Sequence, residues 1–86
     1  MRIVEQIPHS AFNIILFATE KDFIIKLEAG PMEQSYKLSK ELFETVAEVK
    51  AYLSTQFINK AHDLFNDMYL NRQSMVDSIK KDKLNQ

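Results

Sequence analysis

Short apolar and alternating runs separated by polar or turn segments fill residues 3–38, and after Ser39 the period lengthens to that of a helix. Residues 3–7 predict a short strand, closed by Pro8-His9-Ser10. Residues 12–18 predict a second, although Asn13 sits among apolar neighbours and makes the alternation imperfect. Thr19 to Asp22 is a polar break of hairpin length. Residues 23–28 predict a third strand, rich in β-branched and aromatic side chains. Ala29-Gly30-Pro31 is a strong turn signal, and residues 33–38 alternate again. The expectation is an antiparallel β-meander of three to four strands. Whether residues 3–7 pair in the same sheet is open at this point.

Alternation also sorts the faces. One face carries Phe12, Ile14, Leu16, Phe23, Ile25, Leu27, Tyr36 and Leu38, and helices must cover it. The other is mixed: Asn13, Lys26, Glu28, Ser35 and Lys37 share it with Ile15, Phe17 and Ile24. A solvated face does not need three large apolar residues together. Either the first strand or the segment around Pro8 folds over them, or they form a contact patch with Lys26 beside it.

The helical part begins at a capping box, Thr45-Val46-Ala47-Glu48. A short helix follows over 46 to about 54, with Val46, Val49 and Leu53 inward. Ser54-Thr55 caps a long helix over 56 to about 81, whose last turn is basic (Lys80, Lys81, Lys83) and suits the negative end of the helix dipole or simply keeps the chain soluble. The fold class is therefore α+β: a meander followed by a short and a long α-helix packed on one face. It forms one domain over 1–86, with the sheet in 2–38, the helical part in 45–82 and a frayed tail at 83–86.

The apolar stripe of the long helix outruns the sheet. A seven-residue strand spans about 23 Å, at about 3.3 Å per residue. Residues 55–70 as helix span about 24 Å, at about 1.5 Å per residue. The sheet can thus bury the stripe up to Met68 or Tyr69. Arg72 then interrupts it, and a charge there is costly under a closed core. Beyond Arg72 the stripe resumes with Met75, Val76 and Ile79, each worth roughly 1.5–3 kcal/mol if buried. The expectation is a homodimer in which Met75, Val76 and Ile79 pack on a second copy as a short antiparallel helix pair, with Arg72 at the rim. The competing expectation starts from Ser74-Met75-Val76-Asp77, which resembles a capping box, and folds a third helix back onto the same chain.

Composition narrows the function classes. A chain of 86 residues has a modest core, and without cysteine it has neither a disulfide nor a Cys-based metal site. An oligomeric interface is one remedy. The first 18 residues lack the pattern of a signal peptide, and the longest apolar run, 14–18, is far too short to span a bilayer. The expectation is a cytoplasmic protein with no membrane partner. The net charge of −1, with signs interspersed, supplies no general attraction to nucleic acid.

Chemistry-bearing constellations are sparse. His62 has Asp63, Asn66 and Asp67 nearby, but no second histidine on the helix and no HExxH spacing, so a surface histidine explains it better than a metal site. His9 precedes Ser10 in a loop without a third catalytic partner. Asp63 and Asp67 share the polar face with Lys60. A single glycine, Gly30, cannot build a phosphate-cradling loop. No catalytic, cofactor or metal site is assigned, and the expectation is a non-enzymatic protein. Nucleic acid is the alternative partner. A curved sheet with a long helix is a shape used by single-strand binders, and Lys26, Lys37 and Phe17 lie on the mixed face. Glu28 and Glu33 sit among them, which makes that reading secondary.

The stretch from Phe12-Asn-Ile-Ile-Leu-Phe through Phe23-Ile-Ile-Lys-Leu-Glu-Ala-Gly-Pro-Met-Glu-Gln-Ser-Tyr-Lys37 resembles small bacterial proteins without an assigned function. The resemblance covers roughly a third of the chain, implies an α+β domain of bacterial type and transfers no site residues. Glu33, Gln34, Tyr36 and Lys37 are the cluster in it where a site would be sought, against the simpler account of an amphipathic strand. The sequence thus predicts a small interaction module that homodimerises through its long helix (Arg72, Met75, Val76, Ile79) and offers Ile15, Phe17, Ile24 and Lys26 to a partner protein.

Overall fold

A computed structural model of the chain describes residues 2–84. Four strands, β1 (Arg2–Ile7), β2 (Asn13–Ala18), β3 (Asp22–Ala29) and β4 (Met32–Ser39), precede two helices, α1 (Val46–Ala51) and α2 (Thr55–Leu84). The strands form one antiparallel sheet in the order β1-β2-β3-β4, so the meander has four strands and residues 2–7 belong to it. Of the tail expected at 83–86, Lys83 and Leu84 are helical, and Asn85 and Gln86 lie outside the described residues.

Turn chemistry sets the register. At the β2–β3 hairpin, the Thr19 amide donates to the Asp22 carbonyl at 2.8 Å, and the Asp22 amide donates to Thr19 Oγ1 at 2.9 Å. Between β3 and β4, Ala29 pairs with Met32, leaving Gly30-Pro31 as a two-residue loop. Gly30 has φ +59°, the sign that the first central position of a type II′ turn requires. A Cβ at Gly30 would meet nothing within 4 Å, so Gly30→Ala tests conformation alone. It is expected to cost about 1 kcal/mol in a urea titration, and no loss would mean that the turn relaxes to negative φ.

The core lies between the sheet and the helices. Ile14, Leu16 and Ala18 of β2 and Phe23, Ile25 and Leu27 of β3 are buried with Phe12, Val49 of α1, and Ala61 and Phe65 of α2. Phe12 stands just outside β2, yet its ring meets Phe65 with centroids 5.4 Å apart. The β1–β2 register shifts between Ile3 and Glu5, which leaves Val4 as a bulge. Glu5 therefore pairs with Leu16 and turns to the helical face, where Lys50 Nζ of α1 reaches it at 2.9 Å.

Capping starts both helices where the sequence places them. Thr45 Oγ1 accepts from the Glu48 amide at 3.2 Å. Glu48 reaches back to the Glu44 amide at 3.2 Å, one residue earlier than in an ideal capping box. The short helix ends at Ala51 rather than 54 because a tightened turn follows: the amides of Tyr52 and Leu53 donate to Val49 and Lys50. Ser54 then accepts from the Phe57 amide at 3.2 Å and starts α2.

Candidate interaction surfaces

Helix α2 has 30 residues, about 45 Å at about 1.5 Å each. The longest strands have eight, about 26 Å. The helix approaches the sheet along β4 and buries Ala61 and Phe65, with Phe57, Ile58 and Met68 partly covered. Past Met68 no residue of α2 joins the core. At that point the Gly30-Pro31 turn meets the helix in a crevice lined by Pro31, Met32, Glu33, Met68, Asn71, Arg72 and Met75. The rest of α2 overhangs, which accounts for a long dimension of 55 Å against 26 and 20 Å.

The four residues expected at a dimer interface all lie on this overhang. Arg72 is exposed, Met75 and Ile79 are 58% and 47% exposed, and Val76 is half-buried. All four fall within about 80° of Phe65 around the helix axis, so the overhang prolongs the face that packs on the sheet. The expected alternative, a third helix folding back from Ser74, does not occur. The helix is unbroken to Leu84, and Gln73 Nε2 donates to Asp77 Oδ1 at 3.1 Å along its surface. A capping sequence inside a helix does not stop it without a residue that breaks the backbone pattern, and none is present between 55 and 84.

The second surface is the open face of the sheet. The expectation that β1 or the Pro8 segment folds over it fails for β1, which lies in plane beside β2. Its pairing adds a residue that the sequence reading missed. Ile3 stands opposite Phe17, and Phe17 opposite Ile24, which gives an apolar row across three strands. Ile3 is 56% exposed. The next row is Gln6, Ile15, Lys26 and Ser35. Ile15, Phe17 and Ile24 are half-buried, by one another and by their cross-strand neighbours. Only the bulge at Val4 puts Ile3 on this face together with Glu5 on the other, and nothing in the sequence marks that bulge.

Lys26 Nζ lies 3.5 Å from Glu33 and 3.8 Å from Glu28, so its charge is answered within the sheet. That leaves Lys37 as the cation beside the apolar row, opposite Ile24. Among the described residues, no three His, Asp or Glu side chains gather to hold a metal ion. His62, Asp63, Asn66 and Asp67 are all exposed on α2. His9 has a local role: its ring stacks on Phe12 with centroids 4.5 Å apart, and Nδ1 accepts from the Ala11 amide at 3.0 Å. No described helix is long and apolar enough to cross a membrane. No protein-family model matches the chain, and comparison with curated proteins and with solved structures finds no match.

Proposed function

We propose that the protein is a non-enzymatic interaction module that homodimerises through the overhanging half of α2 and presents the open sheet face to a partner protein. The observation that carries this reading is the run of exposed apolar residues beyond Arg72, on the face that further back packs against the protein's own sheet. Met75 and Ile79 left in water forfeit burial worth roughly 1.5–3 kcal/mol each, which a second copy restores. The sheet face supports a protein partner over a polyanion, because the row Ile3, Phe17, Ile24 is apolar and Lys26 is held between two carboxylates.

Light-scattering chromatography over a concentration series tests both surfaces. The wild type is expected at twice the chain mass, and Met75→Glu/Ile79→Glu at the chain mass with unchanged circular dichroism. Phe17→Lys/Ile24→Lys is expected to remain dimeric. A monomeric wild type would sink the dimer. Dissociation of the sheet-face variant instead would make that face the self-interface and remove it as a site for another protein.

A further inference from the structure

Helix α2 carries an unbroken alternation of three- and four-residue steps through Ile58, Ala61, Phe65, Met68, Arg72, Met75, Ile79 and Asp82. This is the a/d spacing of a coiled coil, with Ile58, Phe65, Arg72 and Ile79 at a and the other four at d. The first four sites are spent on the protein's own sheet. The last four are exposed, and their order is cation, apolar, apolar, anion. Neither Arg72 nor Asp82 has an ion-pair partner among the described residues.

We infer that the dimer is a two-fold antiparallel coiled coil of residues 70–84 centred beside Asp77, with Arg72 of each copy paired to Asp82 of the other. This rests on the dimeric reading above and fixes its partner geometry. In a two-fold pair, if one residue faces a second, the second faces the first. Asp77 is midway between Arg72 and Asp82, and also between Met75 and Ile79. One axis therefore sets Met75 against Ile79 twice in the middle and Arg72 against Asp82 at both ends. Each a site then meets a d site. Val76 comes against its own copy on one flank and the small Ser78 on the other, so the helices can approach closely.

The other arrangements fail on charge. A parallel pair sets Arg72 against Arg72 and Asp82 against Asp82. An antiparallel pair moved by one heptad one way puts Arg72 on Met75 and brings Asp82 to the buried Phe65. Moved the other way, it puts Ile79 on Asp82. The overlap of 70–84 also coincides with the overhang, so the partner's last turn reaches the crevice at Arg72 without displacing the protein's own sheet.

Charge exchange in the full chain tests this register. Arg72→Asp and Asp82→Arg each place two like-charged pairs across the axis and are expected to weaken self-association by about tenfold or more. Mixed in equal amounts, the two variants restore opposite charges at both ends, and a mixed dimer near wild-type strength is expected. Both residues are exposed, so circular dichroism should not change. Because the chain lacks cysteine, Met75→Cys mixed with Ile79→Cys is expected to form a disulfide-linked mixed dimer under mild oxidation, and either variant alone much less, since its two thiols are offset by about 6 Å along the axis. A wild-type monomer would overturn the dimeric reading and this register together. A wild-type dimer indifferent to the charge exchanges, or Met75→Cys linking efficiently to itself, would overturn the register and leave the dimer standing.

Discussion

Leu27→Ala is expected to lower the unfolding free energy by about 3–4 kcal/mol, whereas Ile24→Ala, three residues away on the same strand, is expected to cost about 1 kcal/mol. Leu27 is 0% exposed at the centre of the helical face, opposite Ile14 on one side and Gln34 on the other. Removing its side chain leaves a cavity among residues that are themselves buried, and a two-layer domain has few ways to collapse around it. The loss would be a large part of the 5–15 kcal/mol typical of small proteins. Ile24 faces the open side and is half-buried, so its truncation leaves no enclosed void. Urea titrations of the three proteins give the comparison directly. Equal losses at the two positions would mean that the open face is covered in solution, and the partner surface proposed here would then be part of the core.

The contrast between Leu27 and Ile24 was legible from alternation alone, because a period of two fixes which side chains share a face once a strand exists. The hairpin breaks and the helix caps were equally local: Thr19, Gly30-Pro31, Thr45 and Ser54 each act on a backbone amide or dihedral angle within three residues. The surplus of stripe beyond Arg72 followed from comparing two lengths. What stayed hidden depends on pairing between distant segments. The bulge at Val4 is a property of the β1–β2 ladder, and without it neither Ile3 beside Phe17 nor Glu5 beside Lys50 can be placed. Gln34 shares the face of Tyr36 by simple alternation. A polar side chain on that face carries no local signal of burial, which comes from the helix backbone passing over it. Asp82 was readable in principle: counting heptad steps onward from Ile58 reaches it, whereas following apolar residues stops at Ile79.

Gln34 is the second position where a single change should have a large effect. It is 9% exposed, the one polar residue in the core among the described residues. Its Nε2 donates to the Ala61 carbonyl of α2 at 2.9 Å, and its Oε1 accepts from the Tyr36 hydroxyl at 2.6 Å. Tyr36 in turn meets Phe57 edge-on, with centroids 5.3 Å apart. The side chain thus ties β4 to the helix that lies along it, at a point where alanine lets the backbone come close. Gln34→Leu is expected to cost about 1–2 kcal/mol, because it keeps most of the volume but removes the bond to the Ala61 carbonyl and the acceptor of the half-buried Tyr36 hydroxyl. Gln34→Leu combined with Tyr36→Phe should cost less than the two separate losses added together. Gln34→Glu is isosteric and discriminates further. A carboxylate facing the Ala61 carbonyl in a buried site is disfavoured, whereas the protonated acid can still donate to it. The folded-state pKa of the introduced group is therefore raised above its unfolded value. The native state of this variant binds the proton more tightly, so its stability should be highest in acid. It should fall as pH rises from the ordinary glutamate range through the raised pKa. Wild type and Gln34→Leu carry no such group and should lack that added slope. A Gln34→Glu protein whose stability tracked the wild type across this range would mean that position 34 is hydrated. The bond to Ala61 would then not be what anchors α2, and the point at which the helix leaves the sheet would have to be set by Phe65 and Met68 alone.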